Sequence, residues 1–83
     1  MKAYMFVAED GEAAQQLMGE AQQRNLPIEL LIGDSSNSVQ LRQTYDVTTR
    51  PAVLVTLDDG SYVHMWQGRL PQIGELQYMV QGR

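Results

Sequence analysis

Three carboxylates stand close together near the start of the chain, at Glu9, Asp10 and Glu12. Carboxyl groups can perform acid and base chemistry when burial or mutual repulsion separates their pKa values. This short polar segment is expected to be solvated, and it contains no histidine, lysine or tyrosine that could assist. We therefore expect no hydrolase here. The acids either stabilise the amino end of a helix or form an acidic lip that binds a cation or a partner.

The composition excludes most other kinds of catalytic or metal site. The chain has no cysteine and a single histidine, His64, so it lacks the ligands for thiolate zinc, iron–sulfur or histidine-built metal sites. His64 has no recognisable triad partners, and no glycine-rich phosphate motif is present. The sequence predicts no catalysis, no metal and no cofactor.

Length and charge restrict the class of protein further. A chain of 83 residues has room for one domain, and its net charge of −4 disfavours binding to nucleic acid or to an anionic membrane. No apolar run approaches the roughly 18 residues of a membrane helix. The first eight residues are too short for a signal peptide and run directly into acids. We expect a cytoplasmic protein.

Apolar periodicity predicts four strands and three helices. We expect strands at 3–8, 27–32, 52–57 and 62–66, and helices following Gly11 to about residue 24, at 37–45 and at 72–81. The first two strands flank a helix and should run parallel. Asp59-Gly60 predicts an antiparallel hairpin between the last two strands. Asn37, followed by Gln40, predicts a capping box for the second helix.

This order, with Pro51 directly before the third strand, resembles the thioredoxin fold in its minimal, glutaredoxin-sized form. The stretch 45–55 looks like the family's Tyr-x-Val/Ile-x-x-x-Pro followed by an apolar strand. Further residues near their expected places are Asp59-Gly60 in the hairpin, Gly68 after the fourth strand and Leu76 in the last helix. The resemblance covers the whole chain. It implies an α/β fold, βαβαββα, with a mixed sheet of order 2-1-3-4, helices on both faces and a cis Arg50-Pro51 bond.

One departure from the family decides the expected chemistry. Thioredoxins carry Cys-x-x-Cys at the start of the first helix, where the helix lowers the thiol pKa. That position falls on Gly11-Glu12-Ala13-Ala14 here, give or take one residue. The chain therefore resembles a redox-inactive member of the family.

The resemblance also implies a candidate groove where three loops converge. Its candidate residues are Asp10, Gly11, Thr49, Arg50, Pro51, Gln67, Gly68 and Arg69. In redox-active relatives the residue before the cis-proline pairs its backbone with an extended substrate, which needs no thiol. Arg50 and Arg69 could contact a carboxylate of such a segment. Alternatively, Arg50 forms an ion pair with Glu9 or Asp10.

We expect a protein or peptide binding module. The alternatives are a small-molecule binder that retains a glutathione-type groove around 49–51, and a homodimeric structural or regulatory subunit. Strict alternation puts Tyr62, His64 and Trp66 on one face of the fourth strand, with Val63 and Met65 on the other. The first set is a candidate interface for self-association or for a partner.

Overall fold

A four-stranded mixed sheet organises the fold, and the computed structural model describes residues 1–81. The strands are β1 (Lys2–Val7), β2 (Ile28–Ile32), β3 (Ala52–Thr56) and β4 (Tyr62–Gln67), and the helices are α1 (Glu12–Gln23), α2 (Ser36–Thr44) and α3 (Ile73–Gln81). The sheet order is β2-β1-β3-β4. β1 runs parallel to β2, and β3 runs antiparallel to β1 and β4. The predicted fold class, sheet order and strand directions are confirmed.

The two central strands are buried because helices cover both faces of the sheet. On one face, Val53 and Val55 pack in a cluster that includes Leu17 of α1 and Leu76 of α3. On the other face, Phe6 and the neighbouring β-strand side chains form a second cluster, against which Leu41 of α2 packs. Continuous burial of β3 explains why its sequence is apolar throughout rather than alternating.

The helix ends agree in part with the sequence patterns. α1 ends as predicted, with Arg24 as its C-cap and Asn25 in the left-handed region at φ 56°. The predicted Asn37 capping box is wrong. α2 begins at Ser36, so Asn37 lies inside its first turn, and the Ser35 hydroxyl accepts the cap hydrogen bond from the Ser38 N–H at 3.3 Å. Within residues 1–81, no helix is both long and apolar enough to cross a membrane.

The predicted faces of β4 are wrong, because a β-bulge interrupts the alternation of its side chains. His64 lies opposite Val55, whereas Tyr62 lies opposite Thr56, so Val63 is an extra residue without a direct partner. Tyr62 therefore lies on the opposite face from His64 and Trp66, and Val63 packs with the cluster beneath α1 and α3. Met65 packs against the other cluster. The alternation rule failed because it assumes an uninterrupted ladder.

Thr56 provides a stability test. Its side chain is 1% exposed, and its hydroxyl has no hydrogen-bond partner among the described residues. An unpaired buried hydroxyl costs about 1–3 kcal/mol, so Thr56→Val should raise the free energy of unfolding by about 1 kcal/mol. The matched control Val55→Thr puts a hydroxyl at a fully buried neighbour and should destabilise the protein. Urea unfolding measures both variants. A lower midpoint for Thr56→Val would show that the hydroxyl is satisfied.

Candidate functional site

A groove of about 400 Å³ lies where the end of β1, the amino end of α1 and the loop before β3 meet. Its lining residues are Val7, Ala8, Glu9, Gly11, Glu12, Ala13, Ala14, Arg50, Pro51 and Leu70. We call this the α1 groove. Most of its wall is apolar, and among residues 1–81 its charged lining residues are two glutamates and one arginine. Three predicted site residues, Gly11, Arg50 and Pro51, come together here.

The amino end of α1 forms one wall. Gly11 is the N-cap in extended backbone conformation, and it has no side chain with which to cap the helix. The acids before and after it were expected to stabilise this helix end, but among the described residues none of them caps it with a side-chain hydrogen bond. Asp10 instead accepts a hydrogen bond from the Gln15 side-chain amide at 2.8 Å, and it does not line the groove. The first-turn amides therefore receive no side-chain cap.

Arg50 forms the opposite wall, and its bond to Pro51 is cis. The guanidinium Nη1 donates to the Gly33 carbonyl at 3.2 Å and to the Asp34 carboxylate at 3.4 Å. The same Asp34 oxygen accepts from Arg42 at 2.6 Å. The alternative ion pair of Arg50 with Glu9 or Asp10 is wrong. Asp34, in the turn after β2, lies close to the loop before β3 and forms the ion pair with Arg50 instead.

Three further predicted residues build the loop and do not line the groove. The Gln67 side-chain oxygen accepts from the Thr48 N–H at 2.9 Å and from the Thr49 N–H at 3.1 Å. The Gly68 N–H donates to the Pro51 carbonyl at 2.9 Å, and its φ of 83° favours glycine. These contacts fix the loop that presents Arg50 and Pro51.

Arg69 is directed away from the groove towards α3. Its guanidinium forms two hydrogen bonds with the Glu75 carboxylate, at 3.1 and 3.2 Å. Glu75 also accepts from the Gln72 N–H at 2.9 Å. These hydrogen bonds lower the pKa of Glu75 from 4.5 to about 2. The bonds from Arg69 have the largest effect, and the bond from the Gln72 N–H has the second largest.

The aromatic side chains of β4 do not form one exposed set. Trp66 is only 8% exposed and packs edge-on against His64, with ring centroids 4.6 Å apart. Tyr62 is 57% exposed, on the other face of the strand. Self-association through these residues stays a prediction, with Tyr62 separated from the other two.

Sequence reasoning missed most of the lining residues of the groove, Leu70 among them, and it also missed the Arg50–Asp34 contact. Leu70 lies between Arg69 and Pro71, where no periodicity marks a role. The Asp34 contact could have been found, since the turn after β2 and the loop before β3 both lie beside the end of β1. Among the described residues, no group of three or more acidic or histidine side chains is arranged to hold a metal ion.

Gln67 should act as a structural acceptor. Gln67→Ala removes the oxygen shared by the Thr48 and Thr49 amides, and we expect a loss of about 1 kcal/mol in unfolding free energy. Gln67→Glu keeps an acceptor and should lose less. Urea unfolding and the amide NMR shifts of both threonines measure the effect. Unchanged shifts in Gln67→Ala would exclude this role.

Glu75 should contribute a pH-dependent stability. Because its folded-state pKa is about 2, below the ordinary 4.5, its stabilising contribution is present above pH 4.5 and is lost as the pH falls towards 2. Arg69→Gln should raise the pKa of Glu75, which carboxyl carbon NMR can follow. The control Arg24→Gln removes an arginine that donates to the Gln77 amide, and it should leave the Glu75 titration unchanged. An unaltered pKa in Arg69→Gln would contradict the assigned cause.

Comparison with known proteins supports the fold. No family model and no curated protein matches the chain. A solved structure that is similar is thioredoxin 1 from the thermophilic eubacterium Thermosipho africanus TCF52B. It is 17% identical, with a TM-score of 0.66 over 99% of this chain and 92% of that chain. At this identity the similarity concerns the fold alone, and it shows that this cysteine-free chain has a thioredoxin-like fold.

Proposed function

We propose that the domain binds an extended polypeptide segment in the α1 groove, without thiol chemistry. The observation that carries this proposal is an apolar groove bordered by backbone groups of Arg50 that pair with no other backbone group among the described residues. Among residues 1–81, neither the N–H nor the carbonyl of Arg50 takes part in a backbone hydrogen bond. An extended segment could pair with these groups as an added strand does.

Apolar surface beside Arg50 would take side chains of the segment. Ala8 and Ala13 are exposed, and Pro51 and Leu70 are half-buried on the other side of the groove. Backbone pairing supplies affinity in such complexes, and apolar pockets supply selectivity. The groove is open to solvent rather than enclosed, which suits a segment of a polypeptide better than a small molecule that must be surrounded.

The binding would be non-covalent. The segment 11–14 at the start of α1 contains no thiol, so a bound segment meets no sulfur nucleophile there. Gly11 and Ala13 also leave space for a ligand at that wall, because neither has a side chain beyond Cβ. We include a cytoplasmic location in the proposal, since a chain without cysteine needs no oxidising compartment to fold.

A titration followed by amide NMR tests the proposal. A capped apolar pentapeptide should shift the resonances of Gly11 to Ala14 and of Arg50. Ala13→Trp fills the groove and should weaken binding by about tenfold or more. Gln22→Trp places the same ring on an exposed site at the other end of α1 and should leave the affinity unchanged.

Two results would contradict the peptide proposal. Shifts that cluster away from the groove would show that the peptide binds elsewhere. Shifts at the groove with reduced glutathione, but none with the peptide, would favour the small-molecule alternative.

A further inference from the structure

The carboxylates of the α1 groove are available to a ligand. Glu9 and Glu12 both line the groove and are exposed. Within residues 1–81, neither takes part in a salt bridge or a side-chain hydrogen bond. Their charges are therefore not neutralised by the protein.

The two arginines that the sequence assigned to the groove make contacts with other parts of the protein. Among the described residues that line the groove, Arg50 is the one cation, and its Nη1 donates to the Gly33 carbonyl and to Asp34. Arg69 is held by both oxygens of Glu75. These contacts favour a ligand other than the carboxylate-bearing segment expected from the sequence, because an acidic segment in the groove would lie beside Glu9 and Glu12.

The helix end does not reverse this balance. The amino end of a helix acts as about half a positive charge, felt within its first turn. Two full negative charges stand against it, at Glu9 and Glu12. The net charge of −4 on the whole chain adds a longer-range attraction for cations.

We propose that the segment bound in the α1 groove is basic and apolar, with a lysine or arginine next to an apolar residue. This rests on the proposed function. The apolar side chain lies against Ala13, Pro51 and Leu70, and the cationic group lies beside Glu9 and Glu12. Charge complementarity of this kind selects a partner and speeds its approach more than it adds raw affinity.

Three matched peptides test the proposal, each with the same apolar centre and flanked by lysine, glutamine or glutamate. At low salt we expect the lysine peptide to bind about tenfold more tightly than the glutamine peptide, and the glutamate peptide to bind most weakly. The difference should shrink in about 1 M salt, where the screening length falls to about 3 Å. Groove binding is read from the amide shifts of Gly11 to Ala14.

Charge variants identify the carboxylates responsible. The double variant Glu9→Gln, Glu12→Gln should bring the lysine and glutamine peptides to similar affinities. The matched control Glu20→Gln, Glu29→Gln removes two carboxylates outside the groove lining, and it should keep the preference. Far-ultraviolet circular dichroism checks that both variants are folded.

Different results would contradict peptide binding in the α1 groove and the preference for a basic segment. If none of the three peptides shifts the groove resonances, the proposed function is wrong. If the peptides bind with equal affinity, or if the glutamate peptide binds best, the basic preference is wrong and peptide binding stands. A preference that the control variant loses would assign it to the charge of the whole chain.

Discussion

Phe6 of β1 and Val53 of β3 lie in neighbouring central strands and expose no surface, because α2 covers one face of the sheet and α1 and α3 cover the other. Burying one such side chain contributes about 1.5–3 kcal/mol. This two-sided burial fixes where β1 ends and where β3 begins. Segments 8–11 and 50–51 adjoin these strand ends and line the same groove, so the groove is a consequence of how the core is packed.

The net charge of the groove depends on which carboxylate pairs with Arg50. Asp34 accepts from both Arg42 and Arg50, and it lies at the edge of the sheet where β2 ends. The three residues form a link between α2, the turn after β2 and the loop before β3. Since Asp34 is exposed, the link contributes little to stability. Its main effect is on the charge of the site, because it leaves the glutamates of the opposite wall uncompensated.

Element order and core positions could be predicted because they depend on local periodicity. The continuous apolar run of β3 and the Asp59-Gly60 hairpin needed no knowledge of distant residues. Two errors, the cap of α2 and the partner of Arg50, arose where the outcome depends on a choice between competing residues, whereas the wrong faces of β4 arose from an inserted residue. Ser35 and Asn37 can both cap a helix, and only the starting point of α2 decides between them. The partner of Arg50 depends in the same way on which carboxylate the tertiary structure brings within reach.

The bulge at Val63 affects how the sheet meets other chains. β4 is an edge strand, and its residues from Tyr62 to Gln67 carry no lysine, arginine, aspartate, glutamate or proline. Such an edge invites another chain to extend the sheet and so promotes aggregation. The extra residue kinks the strand and interrupts the regular spacing of its outer N–H and carbonyl groups. At the other edge, the proline directly before β2 and the charge of Glu29 within it disfavour pairing by other means. Each edge of the sheet thus carries a feature that disfavours pairing with another chain, and on β4 this feature is a single inserted residue near the start of the strand.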